Sequence, residues 1–300
     1  MNLGLIDAAI RGYGASLDEA DRGRLAFFRG LWGAAQAAAD DAGAGTDAAW
    51  EPPSARALRA ARREGRSVLA QAPAAVDGAA LARVADAVAA AALAHGAFPP
   101  AVAEALGAVR WDRVVRASDL ALAGSDPAAW LADLEAVLAD DGLDGQAARL
   151  GTLLASLALR PLIEGPAARA SAALEAAGPE GPRPLACPVC GSAPALAHVG
   201  GETSTAGRGR RLACLQCGTS WEFERVRCAR CGTTAQTSLH FYNVEGDDAH
   251  RLAACDECGG YIRTLYAEDA LAPVAYEVED VVMARLDAIA RDPSLAAAEG

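Results

Sequence analysis

Along residues 1 to about 180 the apolar positions recur at helical spacing. Leu25, Phe28, Leu31 and Trp32 fall on one face of a segment that opens at Asp18-Glu19-Ala20-Asp21 and runs to Ala39. Ser54 is placed to cap a second helix reaching Leu69, and Leu81, Val84 and Val88 form the apolar stripe of a third. Asp126 followed by Pro127 supplies an N-cap and then a proline at the first helical position. The helix it starts carries Trp130, Leu131, Leu134 and Val137, and Asp141-Gly142 ends it. Another helix is predicted from about Gln146 to Leu162. His95, just before Gly96, belongs at a helix end. Core packing accounts for all these apolar residues.

The pattern then changes. Gly178-Pro-Glu-Gly-Pro-Arg-Pro184 reads as a linker. After it, alanine-rich helix gives way to cysteine, glycine, threonine and β-formers. Helix returns at the end, where Val278, Val281, Val282, Leu286 and Ile289 make one face, expected to pack back on a neighbouring domain.

Composition narrows the class. The chain has 300 residues, 52% of them hydrophobic, which is enough for a packed core in one large domain or two ordinary ones. All 27 basic residues are arginine, and the formal net charge of −12 repels phosphate backbones. Nucleic-acid binding is therefore not expected, although Arg208, Arg210, Arg211, Arg225, Arg227 and Arg230 form a local basic stretch, read as a solvated rim. The most apolar stretch, Ala79 to Ala94, is broken by Arg83 and Asp86 and reads as too short to cross a bilayer of ~30 Å. The start of the chain carries no basic and apolar leader pattern. A cytoplasmic protein with no direct membrane insertion is the expectation, and in that compartment thiols stay reduced.

All eight cysteines fall in four Cys-x-x-Cys pairs: Cys187/Cys190, Cys214/Cys217, Cys228/Cys231 and Cys255/Cys258. A shift of 41 positions carries the first four onto the last four, and carries Gly191 and Gly218 onto Gly232 and Gly259. This is an internal duplication of one small unit. Two thiolates two residues apart can grip one ion from a tight turn, and the glycine that follows can take the positive φ such a knuckle needs. Two knuckles complete a tetrahedral four-sulfur site, and soft thiolates select zinc or iron. The predicted sites are Cys187, Cys190, Cys214 and Cys217 for one metal ion and Cys228, Cys231, Cys255 and Cys258 for the second. No catalytic residue and no organic cofactor is expected. His198, His240 and His250 are spare ligands that complete cysteine quartets do not need. Trp221, Phe223, Tyr242 and Tyr261 are read as small aromatic cores.

The fold class that follows is α+β: a helical N-terminal domain over residues 1–180, rubredoxin-like or zinc-ribbon modules over 181–223 and 224–268, and a C-terminal helix and tail over 269–300. At Cys187-Pro-Val-Cys190-Gly191-Ser192, Leu212-Ala-Cys214-Leu-Gln-Cys217-Gly-Thr219-Ser-Trp221, Arg225-Val-Arg227-Cys228-Ala-Arg-Cys231 and Cys255-Asp-Glu-Cys258-Gly-Gly-Tyr261, the chain resembles the formate dehydrogenase accessory proteins of the FdhE type. Trp221 and Arg225 between the second and third knuckles are the specific part of that resemblance. It implies a cytoplasmic, non-catalytic assembly factor that binds the formate dehydrogenase catalytic subunit, with iron as the associated metal. It leaves self-association as a homodimer open. Two other readings compete. The knuckles suit a rubredoxin-like electron carrier or thiol-redox protein, and the arginine-rich stretch suits a nucleic-acid-binding ribbon, against which the acidic remainder argues.

Overall fold

A computed structural model describes residues 1–43, 50–179, 181–200, 209–267 and 273–291. Twelve helices are described: α1 (Leu3–Tyr13), α2 (Glu19–Asp41), α3 (Ala55–Arg63), α4 (Val68–Gln71), α5 (Gly78–His95), α6 (Pro100–Ala108), α7 (Trp111–Ala117), α8 (Leu120–Ser125), α9 (Pro127–Asp140), α10 (Gly145–Ala177), α11 (Tyr276–Val282) and α12 (Ala284–Ala290). Between α10 and α11 lie six strands: β1 (Leu196–Gly200), β2 (Arg210–Ala213), β3 (Ser220–Phe223), β4 (Leu239–Asn243), β5 (His250–Cys255) and β6 (Tyr261–Ala267).

The caps follow from the sequence. Asp18 accepts from the Asp21 amide at the start of α2, Asp126 from Ala129 at the start of α9, and Asp144 from Gln146 and Ala147 at the start of α10. His95 is the last residue of α5. The helix expected from Ser54 to Leu69 is two. It breaks at Glu64-Gly65, where Gly65 takes φ +67°, and a second cap, Ser67, starts α4. The helix expected to stop near Leu162 runs on to Ala177, through Pro161 and Pro166. An interior proline removes a helical hydrogen bond. Here both prolines are buried, and packing along Leu159, Ile163, Ala167, Ala170 and Leu174 holds the helix together past them. The closing helix is also divided, at Met283, into α11 and α12.

Helix α5 is 18 residues long, about 27 Å at 1.5 Å per residue, so by length and composition it could cross a bilayer after all. Its surroundings are those of a core helix. Leu81, Val84, Ala85, Val88 and Ala92 are buried, and it packs against α2, α7 and α10.

The strands form one mixed sheet in the order β3-β2-β1-β6-β5-β4. Each module supplies three antiparallel strands. The modules join where β1 runs parallel to β6, with Leu196 opposite Arg263 and Val199 opposite Tyr266. The largest core cluster includes residues of α2 to α10 together with Cys187, Val189, Cys190, Cys214, Cys217, Trp221 and Phe223. The first ribbon is therefore built into the helical core. A second cluster joins α1 and α2 to α11, and a third seats Met283 and Leu286 on Leu196, Ala213 and Leu252 of the sheet.

Candidate metal centres

Each of the four cysteine pairs closes the same turn. The amide of the glycine after the second cysteine donates to the carbonyl of the first: Gly191 to Cys187 at 2.9 Å, Gly218 to Cys214 at 3.0 Å, Gly232 to Cys228 at 3.1 Å and Gly259 to Cys255 at 2.9 Å. The first cysteine's amide donates in return to the residue beyond the glycine, Ser192, Thr219, Thr233 or Gly260, at 2.8 to 2.9 Å. All four glycines have positive φ, between 64° and 82°, the left-handed region that side chains with a Cβ rarely enter. The turn needs glycine for its backbone, and the sequence supplies one at the same offset each time.

The turns aim the sulfurs at one another. Cys187, Cys190, Cys214 and Cys217 form one quartet, and Cys228, Cys231, Cys255 and Cys258 form another. Within each, all four sulfurs lie within 4.8 Å of one another. Across the first quartet, Cys187 Sγ is 3.6 Å from Cys217 Sγ, and Cys190 Sγ is 3.5 Å from Cys214 Sγ. In the second, the Cys228–Cys258 and Cys231–Cys255 separations are both 3.8 Å. A tetrahedron with 2.3 Å metal–sulfur bonds has edges of about 3.8 Å, so the spacing fits a four-thiolate zinc site. A disulfide needs about 2.05 Å, and all eight cysteines are free. The eight residues predicted from the duplication are thus brought together as two quartets, each of which could hold one metal ion.

Polar groups support the sulfurs. Ser192 Oγ is 3.4 Å from Cys190 Sγ, and Thr219 Oγ1 is 3.3 Å from Cys217 Sγ. The amides of Arg230 and Cys231 donate to Cys228 Sγ at 3.3 and 3.5 Å. Burial pushes the Cys228 thiol up, but these amides together with the Cys231 and Cys255 side chains outweigh it and bring the thiol to about 7. In the first quartet, hydrogen bonds from Cys187, Cys190 and Cys214 hold Cys217 well below the usual thiol range, while burial pushes Cys187 up. Thiolate is the form in which cysteine ligates metal.

Two buried arginines accompany the quartets. Arg160 of α10 donates to the carbonyl of Leu215, between Cys214 and Cys217, and its positive charge acts on both those thiols. Arg210 of β2 donates to the Arg227 carbonyl at 2.9 Å, stacks 5.6 Å over the Phe223 ring and acts on Cys228. The rim expected from the arginine-rich stretch is consequently incomplete. Arg225 and Arg230 are exposed, Arg211 and Arg227 are half-buried, Arg210 is only 5% exposed, and Arg208 lies outside the described residues. The sequence pattern lacked any sign of Arg160, because its role depends on α10 running past Pro161 and on a ribbon docking beside it.

The histidines stand outside both quartets. His198 Nδ1 meets Tyr276 Oη at 3.3 Å, His240 Nε2 meets Asp256 at 2.7 Å, and His250 sits between Asp247 and Glu279. Trp221 and Phe223 are buried, and Trp221 Nε1 donates to the linker carbonyl of Pro184 at 3.0 Å. Tyr242 is 40% exposed and does not build a core, because its strand, β4, is an edge of the sheet.

Comparison with known proteins gives a consistent picture. No family model matches the chain. FdhE of Escherichia coli O127:H6 and FdhE of Shigella boydii serotype 18 are each 36% identical to it over 83 residues, 27% of this chain. The FdhE crystal structure from Pseudomonas aeruginosa superposes with a TM-score of 0.50 over 99% of this chain and 93% of that one, at 19% identity. The chain is FdhE-like. The fold likeness extends through helical domain, sheet and closing helices. The sequence match spans only 26% of the length of the curated relatives.

Proposed function

We propose that the chain is a non-catalytic accessory factor for formate dehydrogenase, one that binds the enzyme's catalytic subunit during maturation in the cytoplasm. In this reading Cys187, Cys190, Cys214 and Cys217 hold one metal ion, and Cys228, Cys231, Cys255 and Cys258 hold a second, each iron or zinc. The observation that carries the reading is the FdhE-like arrangement of a helical domain fused through one core to a duplicated four-cysteine ribbon. A closed four-sulfur site leaves no open coordination position for substrate, so the metal's contribution is to fold and fix the ribbons. Structural four-ligand sites in small modules supply on the order of 10 kcal/mol of apparent folding energy. The residues around them do the rest: the knuckle amides orient the sulfurs, and Arg160 and Arg210 set positive charge beside them.

The test is genetic and biochemical. Deleting the gene in its host abolishes formate dehydrogenase activity while leaving the enzyme's polypeptides in place, and a tagged copy restores activity and co-purifies the catalytic subunit. Full activity in the deletion strain overturns the proposal. The exposure of Cys231 and Cys258 favours one competing reading, an electron carrier, because a surface sulfur brings an iron site within reach of a redox partner. A reversible reduction of iron-loaded protein supports that reading, and a colourless zinc protein with no redox wave excludes it.

A further inference from the structure

The duplication permits a position-by-position comparison of how the two quartets are covered. In the first ribbon both knuckles are docked on helices. The amides of Val68 and Leu69, at the start of α4, donate to the carbonyls of Pro188 and Val189 at 3.0 and 2.9 Å. Arg160 donates to the Leu215 carbonyl, and Ser156 Oγ donates to Gln216 Oε1 at 2.7 Å. A shift of 41 places Ala229, Arg230, Asp256 and Glu257 at the matching positions of the second ribbon. The bonds here stay inside that ribbon. Arg230 Nε donates to the Tyr261 carbonyl at 3.1 Å, the Asp256 amide to the Ser238 carbonyl at 3.0 Å, and Asp256 faces His240.

The glycines report the same contrast. A Cβ on Gly218 would stand 2.6 Å from Arg160 Nη2 of α10, and one on Gly191 would be in ordinary contact, at 3.5 Å, with Ser67 Oγ, the cap of α4. In the second ribbon a Cβ on Gly232 would meet Arg227 Nη2 at 3.2 Å and Leu185 Cδ1 at 3.4 Å, neither on a helix, and one on Gly259 would meet nothing within 4 Å. Accordingly Cys187, Cys190, Cys214 and Cys217 are all buried, whereas Cys231 and Cys258 are exposed, one from each knuckle of the second quartet. Beside Cys258 is an open recess of about 420 Å³, whose charged lining is Arg230, Arg263, Arg291 and Asp287. Gly260 lines the recess, and a Cβ there would stand 3.4 Å from Cys258 Sγ and 3.2 Å from Arg230 Cγ, so glycine leaves room beside the sulfur.

We infer that Cys231 and Cys258 are a site of reversible exchange with anionic low-molecular-weight disulfides, and that the first quartet is shielded from the same chemistry. The inference rests on the four-thiolate reading above. Exchange requires access to a thiolate sulfur and a second cysteine close enough to resolve the mixed disulfide, and the second quartet offers both at the surface. One exposed thiolate attacks a sulfur of the disulfide. The S–S bond breaks, and one half leaves as a thiolate that takes its proton from water. The other exposed cysteine then attacks the protein sulfur of the mixed disulfide and expels the second half. The two cysteines lose two electrons to the disulfide and end joined by one S–S bond. Two of four metal ligands are thereby removed from the second site and none from the first. Arg263 is paired with Asp280 and Asp287, which leaves Arg230 and Arg291 as the charges of the recess that favour an anionic disulfide over a cationic one.

The experiment uses the full chain loaded with two equivalents of zinc, treated with glutathione disulfide while a chromogenic chelator records release and mass spectrometry locates the modified residues. The expected result is release of one equivalent about tenfold or more faster than the other, with glutathione adducts and then a disulfide at Cys231 and Cys258. Cystamine, a cationic disulfide, reacts more slowly once each rate is divided by its rate with free cysteine. Simultaneous release of both equivalents, first modification among Cys187, Cys190, Cys214 and Cys217, or faster normalised reaction with cystamine overturns the inference while leaving the four-thiolate reading standing. A chain that takes up no zinc overturns that reading, and this inference with it.

Discussion

Arg160 and Glu277, 117 positions apart, form an ion pair of 2.9 Å in which the arginine side chain is only 6% exposed. Arg160 also faces Glu164 on its own helix and reaches the Leu215 carbonyl inside the second knuckle. One guanidinium thus connects α10, the first cysteine quartet and α11. Removing it leaves a half-buried carboxylate and a knuckle carbonyl without their donor. Arg160→Met is expected to cost about 3 kcal/mol, read as a lowered denaturation midpoint, and to weaken metal retention at the first site. Glu277→Gln keeps an acceptor beside the arginine and is expected to cost less than half as much. Equal effects of the two substitutions count against Arg160 as the shared anchor.

A second junction is expected to respond to pH. His250, at the start of β5, lies 2.8 Å from Asp247 through Nδ1 and 3.1 Å from Glu279 of α11 through Nε2. Tyr13 of α1 donates to the same Glu279 oxygen at 2.6 Å, and Arg285 of α12 pairs with Asp247. Burial lowers the histidine, but hydrogen bonds to Glu279 and Asp247 outweigh it and hold the imidazolium above its ordinary range. Because the folded value is raised, the stabilisation is fully present below the unfolded value of about 6.5 and is lost as pH rises through the folded one. Tyr13, pushed upward by burial and by Glu279, stays a donor throughout. Melting measured from pH 5.5 to 8.5 is expected to show this loss on the alkaline side, and Glu279→Gln is expected to flatten it. A slope unchanged in Glu279→Gln assigns the pH dependence elsewhere.

The two quartets differ in how they join the core. All four sulfurs of the first quartet belong to the main core, while the second ribbon contributes to that core chiefly through Ala229 and Ile262. Cys187→Ser is expected to lose one metal equivalent and to lower the melting of the helical domain as well. Cys258→Ser is expected to lose the other equivalent and leave the helical melting close to that of the parent chain. Elemental analysis with calorimetry checks both. Two equivalents retained in either variant removes the quartet assignment.

What the sequence disclosed follows from where the information lies. A knuckle is local: Cys228, Cys231 and Gly232 specify its bonds within six residues, so both quartets were legible in the spacing. Asp126-Pro127 likewise marks α9 by cap chemistry alone. The β1–β6 pairing was not legible, because it joins Leu196 to Arg263 across 67 positions with no signal but complementary strands. Nor were α1 and α6 to α8, short segments of 6 to 11 residues, three of them shorter than ten and too brief to establish a helical period. The end of α10 was misread because Pro161 is a local stop signal, while the packing that overrides it is tertiary.

The knuckle glycines offer a controlled pair. Gly218 and Gly259 both have positive φ, 80° and 64°, so alanine strains either backbone by about 1 kcal/mol. Only at Gly218 would the new methyl strike Arg160. Gly218→Ala is expected to destabilise by at least about twice as much as Gly259→Ala, measured as the difference in denaturation midpoint. Equal costs imply that Arg160 moves aside freely and does not clamp the knuckle.

The docking of α4 on the first knuckle can be tested with a single backbone atom. Val68 is the first residue of α4, a position where proline is tolerated in a helix, and Ser67 before it is already extended at φ −72° and ψ 160°. Proline there deletes the amide that donates to the Pro188 carbonyl and leaves the Leu69 bond to Val189 in place. Val68 is also a core side chain, 1% exposed, so Val68→Ala serves as the control for lost packing. A carbonyl left unsatisfied beside the buried knuckle costs about 1–3 kcal/mol. Val68→Pro is therefore expected to be less stable than Val68→Ala and to release metal faster from the first centre, with release from the second unchanged. If both variants release first-site metal at the same rate, the α4 amides do not hold the knuckle closed, and its protection comes from burial by the surrounding side chains alone.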